Sequence, residues 1–513
     1  MPEGDVKSFY NGKNVFITGG TGFVGIALVE KLLRTTEVNK IYLLVRPKRD
    51  KEIYARLEEY IKIRISVLKE EKGSEVFTKL SAVQGDVGED NLGLSNNDKQ
   101  TLIDNVNIVF HCAATLDFEA DLKCTVKINL LGTRRVVELC KKIKNLNGLL
   151  HVSSAYVNSH LLRVDEKLYP VPESADKVIE LVESTPDKEL EEKTKQILGK
   201  YINTYTFTKA LAEIEVTNSV DLFPSCIVRP SMIVAAWKEP IPGWTNSKNG
   251  PQGFIMGAAK GVVRRLPVDP KLVCDYIPVD VVVNGIIVGA WKAAISRPSE
   301  TLIFHLTSST YKPFKWNIVA GSVDRLLHKY PLKSAVWYPT LKLLPSLFVF
   351  KLSALFFHWI PAYFLDAVTA LSGGRPILRK LHSNINKSLD RLQPFIFTEW
   401  FFSNKKTMEL HNSLSEQDKE NFTLDLGPLV WRDYFENMAK GVRQFLHKEE
   451  PSSLEYAKKK DTIFLILNII LQVVIMSSIW FLFSTISGKS LTDCFLVLPI
   501  TLIIFGIYKL NIL

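Results

Sequence analysis

The amino-acid sequence predicts an α/β fold built on a doubly wound parallel sheet, followed by a smaller, mostly helical region and a C-terminal membrane segment. Three observations predict it. Short β-branched runs alternate with helical patterns in the first third of the chain, a glycine-rich turn joins the first strand to the first helix, and a long apolar run lies near the C-terminus. The 513 residues are too many for one ordinary core, so we expect two or three domains.

The predicted strands of the sheet are short and apolar. They are Val15–Thr18, Ile41–Val45, Ile108–His111, Leu149–Ser153 and Cys226–Arg229. Segments with helical spacing separate them, such as Ile26–Arg34 and Thr125–Lys142. Residues 160–204 are polar and rich in Glu and Lys, which we interpret as a surface insertion with some helix. We assign residues 1–335 to this first domain.

The residue composition of the sequence changes after residue 335. Leu341–Leu371 is crowded with Phe, Leu and Pro. Three interpretations remain open for it: a buried helical hairpin, which is the default, a membrane-surface patch, or a lid over a tunnel. A polar, helix-prone stretch follows, and we expect residues 336–450 to form a second, helical domain.

The C-terminal tail predicts a membrane anchor over residues 461–513. The run Ile463–Phe483 is long enough to span a bilayer. Three lysines at 458–460 precede it, which predicts that the larger part of the chain faces the cytosol. A second run, Phe495–Tyr508, could cross again or lie re-entrant. The polar N-terminus predicts no signal peptide. Such an anchor suits the endoplasmic reticulum, with the peroxisome as the alternative.

Composition restricts the partners. Lys and Arg total 64 against 54 Asp and Glu, a net charge of +10. This excess favours phosphorylated cofactors, coenzyme A or the cytosolic face of a lipid membrane. Basic runs interleaved with aromatics are missing from the sequence, so we expect no nucleic-acid partner. The six cysteines are scattered without metal-ligand spacing, so we expect reduced thiols and no metal.

The strongest local signal is the run TGGTGFVG at residues 18–25. It directly follows the strand Val15–Ile17 and opens the helix that starts at Ile26. Glycines permit a tight turn and let the backbone approach a pyrophosphate, whose charge then lies at the helix N-terminus. The strand–turn–helix context predicts a dinucleotide-binding site of the Rossmann kind.

The residues after the second strand indicate which dinucleotide binds. A site for NAD usually has an acidic residue about 20 positions after the glycines. Here the strand ends in Arg46-Pro47-Lys48-Arg49 instead, and a guanidinium suits a 2′-phosphate. We therefore predict NADPH, with an ordinary solvated basic loop as the alternative. Asp86 follows the next apolar run, where we expect the chain to pass the adenine.

The catalytic signal is Tyr205-Thr206-Phe207-Thr208-Lys209. Residues four apart share one helical face, so the phenol and the ammonium can converge. We expect Lys209 to lower the pKa of Tyr205, and Tyr205 to donate a proton to a carbonyl oxygen. Ser154 follows the strand Leu149–Ser153 and is positioned to hold the same oxygen. Asn129 completes a relay with these three or is a structural helix residue; both interpretations remain open.

The sequence resembles animal fatty acyl-coenzyme A reductases of the alcohol-forming kind, within the extended short-chain dehydrogenases, over essentially its whole length. The stretches that carry the resemblance are residues 12–25, 111–115, 151–156, 205–213, 227–231, 237–251 and 275–283. The stretch 237–251 (WKEPIPGWTNSKNGP) is the most specific. Two positions depart from the family: Ser154, where many members have Thr, and Asn246, where Asp is commoner.

The resemblance implies that NADPH reduces a long-chain fatty acyl-CoA to a primary alcohol and that coenzyme A is released. Tyr205, Lys209, Ser154 and Asn129 are then the catalytic residues. The resemblance also implies that the helical domain, residues 336–450, is of the sterile type and shapes a tunnel for the acyl chain. The candidate cofactor-binding residues are Thr18, Gly19, Thr21, Gly22, Phe23, Gly25, Arg46, Lys48, Asp86, Val87, Ala113 and Lys209.

Two alternatives remain open. A membrane-anchored, NADP-dependent hydroxysteroid-type dehydrogenase shares the Tyr205–Lys209 pattern, but the insertion at 160–204 and the stretch 237–251 argue against it. A non-catalytic NADPH-binding protein of the same fold need not keep both Tyr205 and Lys209. The sequence makes no prediction of chain-length preference or oligomeric state.

Overall fold

Seven parallel strands form the central sheet of the computed structural model, which describes residues 5–47, 53, 55–58, 68 and 71–488. In spatial order the strands are Leu302–Leu306, Ser225–Pro230, Gly148–Val152, Ile108–His111, Asn14–Thr18, Lys40–Val45 and Leu80–Gln84. The predicted doubly wound α/β fold is confirmed. The edge strand Leu302–Leu306 was outside the predicted set.

The strand order reverses beside the first strand. From Asn14–Thr18 the chain continues outward on one side through Lys40–Val45, and it then returns to Ile108–His111 on the other side. Thr18 pairs with His111 in the register of these two central strands. Ligands of open parallel sheets bind at such a switch point, outside the carboxyl ends of the strands. The glycine run therefore begins where the fold class places a binding crevice.

Helices cover both faces of the sheet. On one face the helix Leu131–Cys140 packs on Phe16, Val109 and Leu149. On the other face the helix Val279–Ser296 brings Gly289 so close that an added Cβ would lie 3.1 Å from Cys226 Sγ. Apolar side chains on both faces explain why the strands contain continuous apolar runs.

The other elements around the sheet are mostly short. The helices and helical turns are Val6–Phe9, Phe23–Thr35, Glu75–Lys79, Asp90–Gly93, Asn96–Asn105, Leu122–Thr125, Val126–Leu130, Ala155–Asn158, Ala175–Ser184, Asp187–Leu198, Thr204–Thr217, Lys405–Asn412, Glu416–Asn421 and Trp431–Gly441. The short strands are Arg163–Val164, Met232–Val234, Val273–Cys274, Tyr276–Pro278, Phe314–Lys315 and Phe401–Phe402. The insertion at 160–204 contains two of these helices, and Val178, Val182 and Leu190 belong to the same apolar cluster as Phe207.

The chain forms two compact units, each assembled from separate segments. The first contains residues 1–250, 272–315 and 398–438, and the second contains 251–271, 316–397 and 439–513. This division differs from the contiguous boundary near residue 335 expected from the sequence. The reason is that 398–438 packs with the sheet: Phe401–Phe402 pairs with Arg163–Val164, and the Tyr434 hydroxyl donates to the Ala235 carbonyl at 2.5 Å. The ranges 1–335 and 336–450 as folding domains stay predictions.

The second unit is mostly helical. Its elements are Pro251–Ala259, Arg265–Pro267, Asn317–Lys329, Lys342–Leu344, Leu347–Ala354, Leu355–Trp359, Ile360–Leu371, Leu378–Ile396, Val442–Leu446, Pro451–Ser453 and Leu454–Ser487. The strands Arg265–Pro267 and Lys342–Leu344 pair in parallel, and the rest are helices or helical turns.

Three helices among the described residues are long and apolar enough to cross a membrane. They are Val279–Ser296, Leu347–Leu371 and Pro451–Ser487, with 78%, 22% and 6% of their apolar windows buried. The first is a core helix of the sheet unit. The predicted span Ile463–Phe483 lies inside the third, whereas the run Phe495–Tyr508 lies outside the described residues. The default expectation that Leu341–Leu371 is buried is wrong, because most of this helix is exposed.

Candidate active site

The glycine run forms a tight turn at the switch point of the sheet. Gly19 has φ +70°, and a Cβ there would lie 2.7 Å from the Ala113 nitrogen. A Cβ on Gly25 would lie 2.3 Å from the Gly19 carbonyl oxygen. Only glycine fits these two positions, because any side chain would overlap backbone. Thr21 and Gly22 remain exposed at the tip, and Gly22 is the N-cap of the helix Phe23–Thr35. The cradle therefore fits a pyrophosphate.

Buried hydrogen bonds fix the turn to the neighbouring strand. The Thr18 hydroxyl lies 2.7 Å from His111 Nδ1, and His111 Nε2 lies 3.0 Å from the Thr133 hydroxyl. The Ala113 amide donates to Thr18 Oγ1 at 3.3 Å. Burial lowers the pKa of His111 to about 3, so its ring is neutral and acts as a structural link. Thr18 and Ala113 thus lie on the same side of the crevice.

Arg46, one of the two predicted 2′-phosphate residues, lies beside Asp86. Arg46 is 72% exposed, and its Nη1 is 4.0 Å from Asp86 Oδ2. Arg56, which sequence reasoning missed, donates from its guanidinium to the Arg46 carbonyl. Lys48 lies outside the described residues. The structure therefore brings two guanidinium-bearing residues together at the end of the strand Lys40–Val45, and no spacing rule would have found Arg56.

Asp86 and Val87 shape the loop after the strand Leu80–Gln84. Asp86 Oδ1 accepts a hydrogen bond from the Gly88 amide at 2.9 Å, which holds the loop in a turn. Val87 is buried, and a Cβ on Gly132 would lie 3.2 Å from its side chain. Val87 therefore has a packing role whether or not it also contacts a cofactor.

Tyr205 and Ser154 meet at the carboxyl end of the strand Gly148–Val152. Tyr205 lies in the helix Thr204–Thr217, whose N-cap Asn203 accepts from the Thr206 amide at 2.9 Å. Burial raises the pKa of Tyr205 to about 12, and its hydrogen bond with the Ser154 side chain lowers it. The ring of Phe118 covers the phenol, with 5.4 Å between the ring centroids. The structure thus brings these two hydroxyls together, and their joint binding of a substrate oxygen stays a prediction.

Lys209 lies one helical turn after Tyr205 and is buried. Its ammonium donates to the Val152 carbonyl at 2.7 Å. Burial lowers the pKa of Lys209 to about 8, against the opposing effect of Glu213. The expectation that the pKa of Tyr205 is lowered is not met, because removal of the phenol from water acts in the opposite direction and is the larger effect.

Asn129 lies in a single π-helical turn, Val126–Leu130, and is buried. Its Oδ1 accepts from the Thr115 amide at 2.9 Å, and its Nδ2 donates to the Thr208 hydroxyl at 3.3 Å. Thr208 precedes Lys209, so Asn129 connects the loop after the strand Ile108–His111 to the helix that carries Tyr205. These bonds support a positioning role, and a role in proton relay stays a prediction.

A buried ion pair behind the site was missed by the sequence reasoning. Arg229 donates to both carboxylate oxygens of Glu213, at 2.8 and 2.6 Å, and both side chains are at most 3% exposed. Ser153, next to Ser154, donates to the same carboxylate at 2.6 Å. Glu213 follows Lys209 by one helical turn. The pair therefore ties this helix to two strands of the sheet.

The stretch 237–251 is held next to the glycine turn. The Asp280 carboxylate accepts hydrogen bonds from the amides of residues 237, 238 and 239, at 2.9, 2.7 and 3.1 Å. Trp244 stacks on Phe23, with 5.6 Å between the ring centroids. The most specific stretch of the sequence thus contacts the start of the helix at the candidate cofactor site.

Comparison with known proteins agrees with this geometry. Two family models, both described as male sterility protein, match the chain. The NAD-binding model matches residues 17–286, and the sterile model matches residues 357–449. Among solved structures, the reductase domain of a non-ribosomal peptide synthetase from Mycobacterium tuberculosis aligns with a TM-score of 0.55 at 17% identity, over 85% of this chain and 92% of that chain. This likeness shows the fold.

Relatives of known sequence cover nearly the whole chain. The Drosophila melanogaster protein CG8306, provisionally named a fatty acyl-CoA reductase, is 53% identical over 99% of this chain and 100% of its own length. Human fatty acyl-CoA reductase 1 is 34% identical over 88% of each chain, and mouse fatty acyl-CoA reductase 2 is 35% identical over the same shares. The chain belongs to the fatty acyl-CoA reductase family.

Proposed function

We propose that the protein reduces long-chain fatty acyl-CoA to the primary alcohol with NADPH and releases coenzyme A. The observation that carries this proposal is the hydrogen bond between Tyr205 and Ser154, one helical turn from Lys209. Ser154 follows the strand Gly148–Val152. That strand pairs with Ile108–His111, from which the chain continues to Ala113 beside the glycine turn. Family membership supports the acyl-CoA substrate.

The chain's own residues supply the proton and hold the substrate oxygen. NADPH, when bound, supplies the hydride. Because the pKa of Tyr205 is raised to about 12, its phenol stays protonated at neutral pH and can donate to the oxygen of the carbonyl. Ser154 would bind the same oxygen, and the ammonium of Lys209 would favour the negative charge that develops there.

Hydride addition and this protonation convert the thioester to a thiohemiacetal. It gives up its hydroxyl proton to the Tyr205–Lys209 pair and loses the coenzyme A thiolate, which leaves an aldehyde; the thiolate is a tolerable leaving group because the pKa of a thiol is near about 8.5. An alcohol product requires two reductions of the same carbon, so the phenol must regain its proton between them. Lys209 suits this task, since burial lowers its pKa to about 8. In this proposal Asn129 holds the helix through Thr208.

The preference for NADPH rests on Arg46, whose backbone carbonyl accepts a hydrogen bond from Arg56. The exposed guanidinium of Arg46 can form bidentate bonds to a 2′-phosphate. Asp86 at 4.0 Å from Arg46 would orient it. Lys48 stays a predicted contact, as do the direct contacts of Thr18, Thr21 and Phe23 with the cofactor.

Membrane attachment would bring the enzyme to its lipid substrates and products. The helix Leu454–Ser487 is long, and its apolar window is almost entirely exposed. Lys458, Lys459 and Lys460 near its start favour a cytosolic catalytic unit. The endoplasmic reticulum is the proposed compartment, with the peroxisome as the alternative, and an acyl tunnel shaped by residues 336–450 stays a prediction.

Product analysis tests the proposal. Purified full-length protein is supplied with NADPH or NADH and with acyl-CoA of several chain lengths, and products are identified by mass spectrometry. We expect long-chain primary alcohol and free coenzyme A with NADPH. Aldehyde as the only product would overturn the alcohol assignment. Oxidation or reduction of a sterol, with no reaction of any acyl-CoA, would instead establish the hydroxysteroid alternative.

A further inference from the structure

A helical hairpin at residues 347–396 stands out in the second unit. Leu347–Leu371 is one continuous helical run with a π turn at Leu355–Trp359, and Leu378–Ile396 packs back on it. The Asp366 carboxylate accepts from the amides of residues 377, 378 and 379, at 3.1, 2.9 and 2.9 Å, and so caps the second helix. Partly buried polar bonds therefore join the first helix to the start of the second.

The first helix of this hairpin exposes a continuous apolar stripe. Its members follow one another at intervals of three or four residues, so each lies beside the next in a band that winds slowly around the helix. They are Phe348, Leu352, Phe356, Ile360, Phe364, Val368 and Leu371. Phe364 is 68% exposed and Leu371 is 90% exposed. A stripe of this length on a soluble surface marks a site for a partner or a lipid membrane.

Charge distinguishes between these two occupants. Residues 347–396 contain six Lys or Arg and two Asp. A cavity of about 460 Å³ opens between the two helices, lined by Trp359, Tyr363, Arg379, Lys380 and Ser383 among others. The Arg379 guanidinium lies over the Tyr363 ring, 5.5 Å from its centroid. Aromatic rings beside cations next to an apolar stripe are typical of a membrane interface with anionic headgroups.

The first turns of the tail helix contact other residues of the same unit. Lys460 Nζ donates to the carbonyls of Lys333 and Ala335, at 2.9 and 2.8 Å. Phe464, four residues later, stacks on Trp337 with 6.4 Å between the centroids. Leu347 follows Trp337 by ten positions, a reach of at most about 35 Å. The start of the hairpin is therefore within about 35 Å of the start of the tail helix.

We propose that the hairpin 347–396 is a second membrane contact, beside the tail. The apolar stripe enters the acyl layer, and Arg379 and Lys380 bind the phosphate groups of anionic phospholipids. The hairpin lies in the interface and does not span, because its second helix is polar and returns along the first. The proposal is independent of the catalytic assignment.

Lipid photo-crosslinking in the full chain tests the contact. Phe364 is replaced by p-benzoylphenylalanine, and the protein is reconstituted into vesicles of phosphatidylcholine and phosphatidylserine. The same replacement at Leu471 in the tail is the positive control, and at Leu222, an isolated exposed leucine, the negative control. We expect lipid adducts at 364 and 471 and none above background at 222. Adducts at 471 without adducts at 364, or protein adducts in place of lipid at 364, would overturn the proposal.

A charge reversal tests the headgroup contact. Lys380→Glu is combined with the probe at 364, and Lys188→Glu, on an exposed helix of the first unit, is the matched control. We expect the share of phosphatidylserine among the adducts to fall several-fold with Lys380→Glu and to stay unchanged with Lys188→Glu. An equal share in both variants would remove the headgroup assignment. Unchanged NADPH binding by both proteins verifies that they are folded.

Discussion

The candidate active site and the hairpin 347–396 place their functional side chains in opposite environments. In the first, Asn129, Tyr205 and Lys209 are polar, at most 6% exposed, and hydrogen-bonded. In the second, Phe364 and Leu371 are apolar and largely exposed. Burying polar groups costs free energy unless partners are supplied, and exposing apolar groups costs free energy in water. The first arrangement indicates chemistry, and the second indicates a non-aqueous surface.

This contrast implies that the two regions can be separated by substitution. Changes at the buried site should alter turnover and stability and leave lipid adducts at residue 364 intact. Changes on the stripe should alter the lipid contact and leave the reduction of water-soluble substrates intact.

The largest effect is expected from Tyr205→Phe. Removal of the proton donor should lower alcohol production by about 10²- to 10⁴-fold. The variant keeps the ring that packs against Phe118, so the fold should persist. Turnover and lipid photoadducts are measured on the same preparations. Equal turnover in the variant and the parent protein would end the catalytic assignment of Tyr205.

Breaking the buried ion pair should strongly reduce stability. Arg229→Met leaves the Glu213 carboxylate buried without its cation, which should lower the free energy of unfolding by about 3–5 kcal/mol. Arg134→Met is the matched control, because Arg134 pairs with Glu215 and Asp176 near the surface and should contribute about 1 kcal/mol or less. Thermal unfolding measures both. If the two variants lost similar amounts of unfolding free energy, the Glu213 carboxylate would not be isolated from water.

Reversing the charge at Arg46 should change cofactor preference. Loss of charge-assisted bonds to the 2′-phosphate should weaken NADPH binding by about 10- to 100-fold in Arg46→Glu. NADH, which lacks that phosphate, serves as the internal control and should change little. Titration with both cofactors gives the two dissociation constants. An unchanged ratio would remove the argument for NADPH.

The smallest effect is a dependence on pH. Burial lowers the pKa of Lys209 to about 8, so its ammonium is present below that pH and is lost as pH rises through it. Tyr205 keeps its proton to about pH 12. The value of kcat/KM, which reports groups of the free enzyme, should therefore fall up to about tenfold per pH unit above pH 8. A flat profile to pH 10 would contradict a role for the charged lysine.

Local patterns predicted much of the site. The turn at 18–25 and the spacing of Tyr205 and Lys209 are readable because strand, turn and helix are formed by neighbouring residues. Glu213 and Arg229 were missed as a pair, because their contact depends on how a helix lies on a strand. The direction of the pKa of Tyr205 was also wrong, since burial cannot be read from a local motif.

The long apolar helices show the same limit. Val279–Ser296 and Leu347–Leu371 have similar apolar composition, yet the first is 78% buried and the second 22%. The first packs on the sheet through Gly285 and Gly289, where added Cβ atoms would meet Leu306 and Cys226. Composition alone could not separate a core helix from an exposed one, and three interpretations of 341–371 therefore stayed open.

Isotope transfer shows where the two new hydrogen atoms of the alcohol come from. NADPH carrying deuterium at both positions of C4 is supplied with unlabelled long-chain acyl-CoA, and the product is analysed by mass spectrometry. If the site around Tyr205 delivers two hydrides to one carbonyl carbon, the alcohol should contain two deuterium atoms at C1. Alcohol without deuterium at C1, or no alcohol from any acyl-CoA, would contradict the account.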